Sequence, residues 1–548
     1  MPFLDRPSAA TLKSVSGSLK NEAWGREAKP GPWDYIVIGS GMGGMISAAL
    51  LAKAGRRVLV LEQHYVPGGF THTFARKGYT WDVGVHAIGE VTTRSMPGRL
   101  LASLTDGRLQ WASLGPVYDA FYLPDGFQID YPDNPLQFKE NLIAKFPNEA
   151  KAVDDYLRIA KEVGQGMRAY YLSRILPQRI GPVSEQVLAR KVQHYLTTTA
   201  QSVTDSLTRE PKLRAMMTAQ WGYYGAKPSR AAFAMQALVV KHFLWGGYYP
   251  VGGSGQIAQQ LLKTVSDSGG WTRIRADVAE ILIEDDRAVG VKMADGEVIR
   301  AKKVVSAVGA HATITRLLPQ NARTQGWARE IGAIGSGPAH VCLYLGFKGD
   351  IRQAGAGANN CWFYDTWDTS EDAWQVSPDG LGGEIPALYV SFPSLKDPTH
   401  DPGPEVRHTG EAVTFVPWKV FEPWRDKRWM RRGDEYEAFK ASMQKALLER
   451  LFERLPRLES MLDYAELSTP LSTDHFTRAS HGSIYGLEST PERFRCRWLR
   501  PRAPITNLYF AGVDSGAPGV IGAAMGGALA AVAAEPISAL NFLRRGVL

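Results

Sequence analysis

Residues 34–62 read DYIVIGSGMGGMISAALLAKAGRRVLVLE. The apolar run Tyr35 to Ile38 predicts a short strand ending on Gly39-Ser40-Gly41-Met42-Gly43-Gly44. The small residues from Met45 to Lys53 predict a helix, Gly55 a turn, and Val58 to Leu61 a second strand closed by Glu62. In such a unit Gly39 makes the tight turn, Gly41 lets backbone N–H groups reach a pyrophosphate, and Gly44 lets helix and strand pack closely. The phosphates then lie at the positive end of the helix. Glu62 stands 18 residues beyond Gly44, near the spacing at which a carboxylate accepts from a ribose hydroxyl. A glycine turn in an ordinary strand–helix–strand unit leaves Glu62 without a purpose, whereas a dinucleotide site accounts for it.

Working outward, residues 63–90 read QHYVPGGFTHTFARKGYTWDVGVHAIGE. Gly68-Gly69, just after the acid, points to a flavin rather than a nicotinamide. Phe74 to Val85 alternates around Gly78 as a hairpin would and delivers Asp82, Gly84 and His86 towards the same place. At the far end, NLYFAGVDSGAPGVIGAAMGGALAAVAA (507–534) runs a strand, Leu508-Tyr509-Phe510, into Gly512, Asp514 and a glycine-rich helix. Gly44 and Asp514 are 470 residues apart, so the domain is expected to be discontinuous. Strands at Thr272–Ile283, Ala288–Ala294, Glu297–Ala301 and Val304–Val308 are expected to belong to it. Gly252-Gly253-Ser254-Gly255 follows Tyr248-Tyr249-Pro250 rather than an apolar strand, and reads as the cap of a helix from Gln256 to Val265.

The 548 residues leave room for at least two domains. A net charge of +8, from 63 basic and 55 acidic residues, suits an anionic surface such as a membrane. It is too dilute, without a concentrated basic element, to argue for nucleic acid. Cys342, Cys361 and Cys496 stand in no metal-ligand spacing and no His cluster appears, so no metal site is expected. Residues 1–33 lack an apolar core of signal-peptide length and read as an arm. Ala517 to Ala534 is uncharged but only weakly hydrophobic, and Glu535-Pro536 ends it; a buried loop and helix is expected there, not a membrane span.

Helical spacing marks Lys139–Val163, Ser184–Thr198, Lys212–Gln220 and Asp434–Leu455. Met167 to Tyr195 mixes Tyr, Leu and Ile with Arg168, Arg174, Arg179, Arg190 and Lys191. This suits a helix lying on a membrane, and equally two surface helices broken by Pro177 and Pro182. The aromatic and basic residues from Pro417 to Arg432 are a second stretch of this kind. The runs HVCLYLGF, ALYVSF and AVTFVPW between Gly337 and Trp418 suggest a sheet walling a substrate domain. Trp362, Phe363, Tyr364, Trp367, Trp374, Trp418, Phe421, Trp424 and Trp429 would serve as its core or line an apolar cavity.

Three further stretches carry a resemblance, with the motif Gly68-Gly69 through Asp82-Val83-Gly84-Val85-His86-Ala87-Ile88-Gly89. They are Leu109-Gln110-Trp111, YGAKPSRAAFAMQALVVKHFLWGGYYPVGGSGQIA (224–258) and Ser391 to Pro398. Together they resemble the retinol saturase and carotenoid isomerase branch of the phytoene desaturase superfamily, from about Asp34 to Leu540. The resemblance implies an α/β fold: a discontinuous, glutathione-reductase-type (Rossmann-like) FAD-binding domain with an α+β substrate domain. The segments expected are 1–33 as arm, 34–100, 245–318 and 500–540 as the FAD-binding domain, and 101–244 and 319–499 as the substrate domain with a helical, membrane-facing part. The implied FAD contacts are Gly39, Gly41, Gly43, Gly44, Glu62, Gln63, Gly68, Gly69, Phe70, Val278, Asp514 and Gly522. Val278 would bring its backbone to the adenine, and Asp514 would meet a phosphate or the ribityl chain. No Cys or His stands where the terminal motif would place a flavin methyl group, so FAD is expected to be held reversibly.

The implied activity is that of an FAD-dependent oxidoreductase that saturates, desaturates or isomerises a carbon–carbon double bond in a retinoid, carotenoid or unsaturated fatty acyl chain. A flavin amine oxidase and a non-catalytic lipid-binding chaperone of the GDP-dissociation-inhibitor type share the architecture. The first would want an acidic cluster near the aromatic stretches, and the second usually has degraded glycine motifs. No catalytic triad is visible. His86 is the first candidate for an acid, base or orienting group, or else a histidine bonded within the fold; Glu90 and Tyr223 follow, with Tyr224, His481 and Tyr485 weaker. The partners expected are a long-chain lipid, an electron donor or acceptor of unstated kind, and a membrane surface. The protein is expected in the cytoplasm, peripherally attached to the inner face of the membrane.

Overall fold

The computed structural model describes residues 23–177 and 181–548. Residues 1–22 of the expected arm, and Arg179 of the expected membrane-facing stretch, lie outside the described residues. Strand Trp33–Ile38 runs through the middle of a seven-stranded sheet, parallel to Val58–Leu61 on one side and to Val298–Ser306 on the other. Trp271–Arg273 extends the sheet beyond Val58–Leu61, and Leu508–Phe510 joins the far side of Val298–Ser306. Tyr35–Ile38 and Val58–Leu61 read as unbroken apolar runs because both their faces are covered. Helices Met42–Lys53, Gly255–Asp267 and Gly519–Ala534 bury Leu50, Leu261 and Ala528 in one core with Val37 and Val60. On the other face Ile36, Ile38 and Leu59 pack with Val278, Ile281 and Trp327. Gly25, in the described segment of the arm, bridges to Arg273 at the sheet's edge.

The strands of this sheet thus come from residues 33–61, 271–306 and 508–510. Two of the expected strand boundaries shift. The run expected as Thr272–Ile283 breaks at Arg275, whose backbone is left-handed (φ 53°), into Trp271–Arg273 and Val278–Glu284. Glu297–Ala301 and Val304–Val308 fuse into Val298–Ser306, which pairs antiparallel with Arg287–Met293 along its first half and enters the parallel sheet with its second. The expected domain boundary after residue 100 falls inside helix Met96–Leu104, whose Leu100, Leu101 and Leu104 belong to the core around Val37.

A second seven-stranded sheet has the order Leu462–Ser468, Ala339–Lys348, Arg407–Val416, Leu388–Ser391, Asn360–Phe363, Val117–Leu123 and Phe127–Pro132. All its pairings are antiparallel except Asn360–Phe363 against Val117–Leu123. Its register sets Cys342, Val413, Tyr389, Trp362 and Phe121 in one row across five strands, with His340 opposite Phe415. Helix Phe233–Phe243 and its neighbour Ala150–Arg174 cover one region of this sheet through Tyr156, Phe233 and Ala237. The helix expected from Lys139 to Val163 is two, Pro135–Lys145 and Ala150–Arg174, because Pro147 cannot continue the first. Among the described residues no helix is long and apolar enough to cross a membrane.

Candidate active site

Between the two sheets lies one cavity with about 2280 Å³ of empty space, its mouth included. Its floor is the turn after the first strand, Gly39, Gly41, Met42 and Gly43, together with Glu62, Gln63, Gly69, Phe70, Val278 and Asp514. Its far wall is the second sheet and the turn carrying Tyr223, with His86, His340, Trp362, Tyr389 and Phe415 on it.

The floor fits a flavin dinucleotide. The first turn of helix Met42–Lys53 has no side-chain cap and no acidic residue, so its N–H groups are left for a ligand. A Cβ built on Gly41 would meet nothing within 4 Å, so the turn is open at that point. On Gly44 it would lie 2.1 Å from the Gly39 carbonyl oxygen, and on Gly43 2.3 Å from Gly512 Cα, so these two glycines serve packing. Glu62 accepts from Ser40 N–H (2.9 Å) and Oγ–H (2.5 Å) on one oxygen and from His64 N–H (2.7 Å) on the other. A carboxylate offers about four acceptor positions, so one is left for a ribose hydroxyl. Helix Gly519–Ala534 is a second uncapped N-terminus, and its Gly519, Val520 and Ala523 reach the same cavity.

Asp514 is buried, and its carboxylate is held by the N–H groups of Ala310 (2.7 Å) and Leu487 (2.9 Å), which fix the loop before that helix. Gly68 and Gly522 do not reach the cavity wall. Gly68 turns the chain at φ 121° and takes the Ser40 hydroxyl on its N–H, while a Cβ on Gly522 would meet the Ala517 carbonyl oxygen at 2.1 Å. Gly252 to Gly255 does precede a helix, Gly255–Asp267, but no side chain caps it. Ser254 turns instead to Asp82, donating from Oγ (2.5 Å) and N (3.2 Å).

Of the residues proposed for chemistry, His86 and Tyr223 come to the far wall and Glu90 does not. Glu90 lies behind it, 2.6 Å from Lys241 Nζ and 3.7 Å from His242. Burial pulls its carboxyl up, but His242 and Lys241 outweigh this and hold it at about 2, so Glu90 is a structural carboxylate and not an acid or base. Tyr223 reaches the wall as expected; its hydroxyl donates to Asp119 (2.9 Å), and burial together with that carboxylate raises its pKa well above the usual range, which weighs against its serving as the proton donor. Tyr224 is buried against Gln236, and His481 stacks near Trp418 away from the cavity, whereas Tyr485 lines it.

Behind the far wall runs a buried polar chain that sequence reasoning missed. Asp119, fully buried, accepts from Asn360 (2.8 Å), Gln220 (3.1 Å) and Tyr223. Asn360 in turn accepts from Lys396 Nζ (2.5 Å), which also donates to Ser391 Oγ (2.6 Å) and to the backbone carbonyl of His86 (2.7 Å). His86 Nδ1 lies 2.7 Å from Glu411 Oε2, and both atoms are buried without a hydrogen bond to any group, each other included. Glu411 Oε1 accepts from the Asp82 N–H (3.0 Å), and Asp82 accepts from Ser254 and Tyr249. Burial and the neighbouring Lys396 push His86 down to about 3, so its ring is neutral in ordinary buffers. Burial lifts Glu411 well above the carboxylate range, and burial with Glu411 lifts Asp82 to about 6. Lys396 is pulled down by burial to about 8, against the pull of these carboxylates, and stays mostly charged at neutral pH. The one signal in the sequence was Glu411 itself, an acid on the apolar face of the strand that carries Val413 and Phe415.

The far wall is therefore aromatic and aliphatic, with imidazole and phenol tips and no carboxylate on its surface. Among the described residues no group of His, Cys, Asp and Glu could hold a metal ion. The expected membrane stretches are only partly exposed. Arg174 is buried against Glu185 (3.0 Å), and Phe421, Trp424 and Arg432 are buried, so they are not surface anchors.

Comparison with known proteins agrees with this arrangement. Residues 42–534 match the family of flavin-containing amine oxidoreductases. An all-trans-retinol 13,14-reductase of Danio rerio is 32% identical over 515 residues, covering 91% of this chain and 85% of that protein. A chloroplastic prolycopene isomerase of Arabidopsis thaliana is 27% identical over 542 residues, covering 96% and 87%. The solved cyclohexylamine oxidase of Brevibacterium oxydans superposes with a TM-score of 0.57 at 16% identity over 93% of this chain and 99% of that one, a likeness of fold.

Proposed function

The chain belongs to the flavin-containing amine oxidoreductase family and is an FAD-dependent oxidoreductase; from that premise we propose that it acts on a carbon–carbon double bond of a long apolar lipid. Saturation of a retinoid-like polyene is the first reading, because the reductases similar to this chain are named for it; isomerisation comes next, from the prolycopene isomerases. The observation that carries the proposal is the far wall of the cavity, where Trp362, Tyr389, Phe415 and Tyr485 face the cofactor floor with no carboxylate among them. An amine substrate is a cation and would want one. Bound FAD supplies hydride exchange at its N5. The chain's share is to hold the cofactor through the open turn at Gly41 and Glu62, to exclude water with the aromatic wall, and to keep the His86 side chain on that wall.

The deciding experiment is anaerobic incubation of the FAD-loaded, chemically reduced protein with all-trans-retinol, a cis-carotenoid and an unsaturated fatty acid, read by mass spectrometry. A mass gain of two hydrogens supports saturation and an unchanged mass with altered retention supports isomerisation. Turnover of amines alone would refute the proposal. Acid precipitation should leave FAD in the supernatant, and colour in the pellet would refute reversible binding. The physiological electron donor or acceptor is a further partner of this reading.

We also propose peripheral attachment to the inner face of the cytoplasmic membrane. Exposed Leu172 (56%), Val187 (71%) and Leu188 (45%) stand near exposed Arg168, Arg190 and Lys191. That is the composition of a surface held by apolar insertion and by anionic lipid, the latter on the order of 1 kcal/mol per basic residue.

A further inference from the structure

Three strands, a hairpin and the short helix Pro393–Lys396 bring polar and charged side chains to one buried spot behind the cavity wall: Glu411, Asn360 and Asp119, Asp82, and Lys396. The three N–H groups of the Lys396 ammonium all go to neutral oxygens, of His86, Asn360 and Ser391, and none to a carboxylate. Glu411, with no exposed surface, has one backbone N–H for an oxygen and the His86 ring nitrogen against the other. Asp82, next to it, has three donors: Ser254 N–H, Ser254 Oγ–H and Tyr249 O–H. Two adjacent buried carboxyls do not both ionise, and the better-solvated one carries the charge. Here that one is Asp82. Glu411 keeps its proton, and the nearest unsatisfied acceptor is His86 Nδ1, 2.7 Å away; a small turn of either side chain would align the two.

From this geometry we infer that Glu411 is a positioning residue: as a neutral carboxylic acid it donates to His86 Nδ1, fixes the tautomer that presents Nε2–H to the cavity, and replaces the proton His86 gives up. The directions agree, since burial holds Glu411 well above and His86 well below their ordinary values. The groups facing the couple are Asp82, Lys396 and, across the wall, His340. In the saturating direction the Nε2 proton goes to one alkene carbon while the Glu411 proton passes to Nδ1. Reduced flavin, when bound, would supply the hydride for the other carbon, and the couple would be left as neutral imidazole with Nδ1–H beside a Glu411 carboxylate. The Asp82 N–H and the Lys396 charge then stabilise that carboxylate, and water returns the proton. No imidazolium forms at any stage, which the nearby ammonium would penalise. The proton's destination rests on the reaction proposed above; the couple itself does not.

Two measurements on the oxidised, FAD-loaded enzyme without substrate test the couple. Nitrogen-15 resonances of labelled histidine, assigned with His86→Gln, should show His86 neutral and protonated at Nε2 down to pH 5. Infrared difference spectra between the wild type and Glu411→Gln should show a protonated-carboxyl stretch that the variant lacks. Gln can still donate an N–H to Nδ1 but has no proton to pass on. Glu411→Gln should therefore keep the tautomer and the FAD affinity and lose turnover by ~10²–10⁴-fold. A wild-type ring protonated at Nδ1, absence of the carboxyl band, or full turnover in Glu411→Gln would overturn the inference. Should that variant fail to fold, the wild-type tautomer still decides. A protein with both spectral signatures and no action on any alkene would support the couple and refute the reaction instead.

Discussion

Replacing Tyr223 by Phe separates a structural hydroxyl from a catalytic one. The Tyr223 O–H donates to Asp119 at 2.9 Å, and Asp119 has two other donors, Asn360 at 2.8 Å and Gln220 at 3.1 Å. The ring stays in place in the variant, packed edge-on to Trp362 and against Phe243. The loss is then one hydrogen bond to a buried carboxylate, about 1.5–3 kcal/mol. A chain of 548 residues unfolds with an entropy of about 1.2 kcal/mol per kelvin, so the melting temperature should fall by ~1–3 °C. Turnover should fall far less than the ~10²-fold that removal of a general acid costs. The assay pairs a thermal melt at fixed FAD with anaerobic single-turnover kinetics on the same preparation. Asp119→Asn, which keeps an acceptor, closes a double-mutant cycle and should show coupling between the two positions. Loss of turnover by ~10²-fold or more with an unchanged melting temperature would refute the reasoning and make Tyr223 the proton donor.

Gly41→Ala adds a methyl to open space at an ordinary φ of −62°, so the apoprotein should melt as the wild type does while FAD titration shows weakened binding. Gly43→Ala drives a methyl into Gly512 Cα and should lower both the melting temperature and FAD affinity; equal behaviour of the two variants would refute the division of labour. Burial, with a smaller push from His86, holds His340 at about 4, below the 6.5 of an unfolded histidine. Its share of stability is therefore present above pH 6.5 and lost as pH falls towards 4, about 2 kcal/mol by pH 5. His340→Leu should flatten the acid limb of a urea-midpoint profile by close to one proton. Leu172→Asp with Val187→Asp should abolish flotation on anionic liposomes and leave soluble-substrate kinetics unchanged; undiminished flotation would discard that surface.

The cofactor floor was legible because its elements are local: Gly39 to Gly44 and Glu62 sit within one strand–helix–strand unit, where spacing alone assigns each role. The second sheet was legible only as strand-like runs. Its order depends on pairings such as Asn360 with Asp119, 241 residues apart, and one of them is parallel against the trend of the sheet. No periodicity reports that. The polar chain behind His86 was invisible for the same reason, since its members stand singly in separate strands, a hairpin and a short helix that are far apart in sequence. Glu90 was misplaced because closeness in sequence to a glycine motif says nothing about a partner such as Lys241, and the Asp119 partner of Tyr223 was hidden in the same way. The Met167–Tyr195 stretch was read by composition, and composition does not reveal that Arg174 turns inward to Glu185 and the carbonyl of Cys496.

Helix Gly519–Ala534 lies so close to helix Met42–Lys53 that a Cβ on Gly527 would come within 2.3 Å of the Gly43 carbonyl oxygen. The cradle is thus a clasp between two segments 484 residues apart, Gly43 and Gly527, and its consequence falls on biosynthesis. At roughly 5–20 residues per second, a ribosome needs on the order of a minute to travel from the first glycine turn to the last. For the first half of that time strand Trp33–Ile38 lacks its neighbour Val298–Ser306, and for nearly all of it the sheet lacks Leu508–Phe510 beyond. The FAD cradle is complete only once helix Gly519–Ala534 has been made. A cell short of riboflavin should accumulate finished, open-clasped protein rather than stalled fragments.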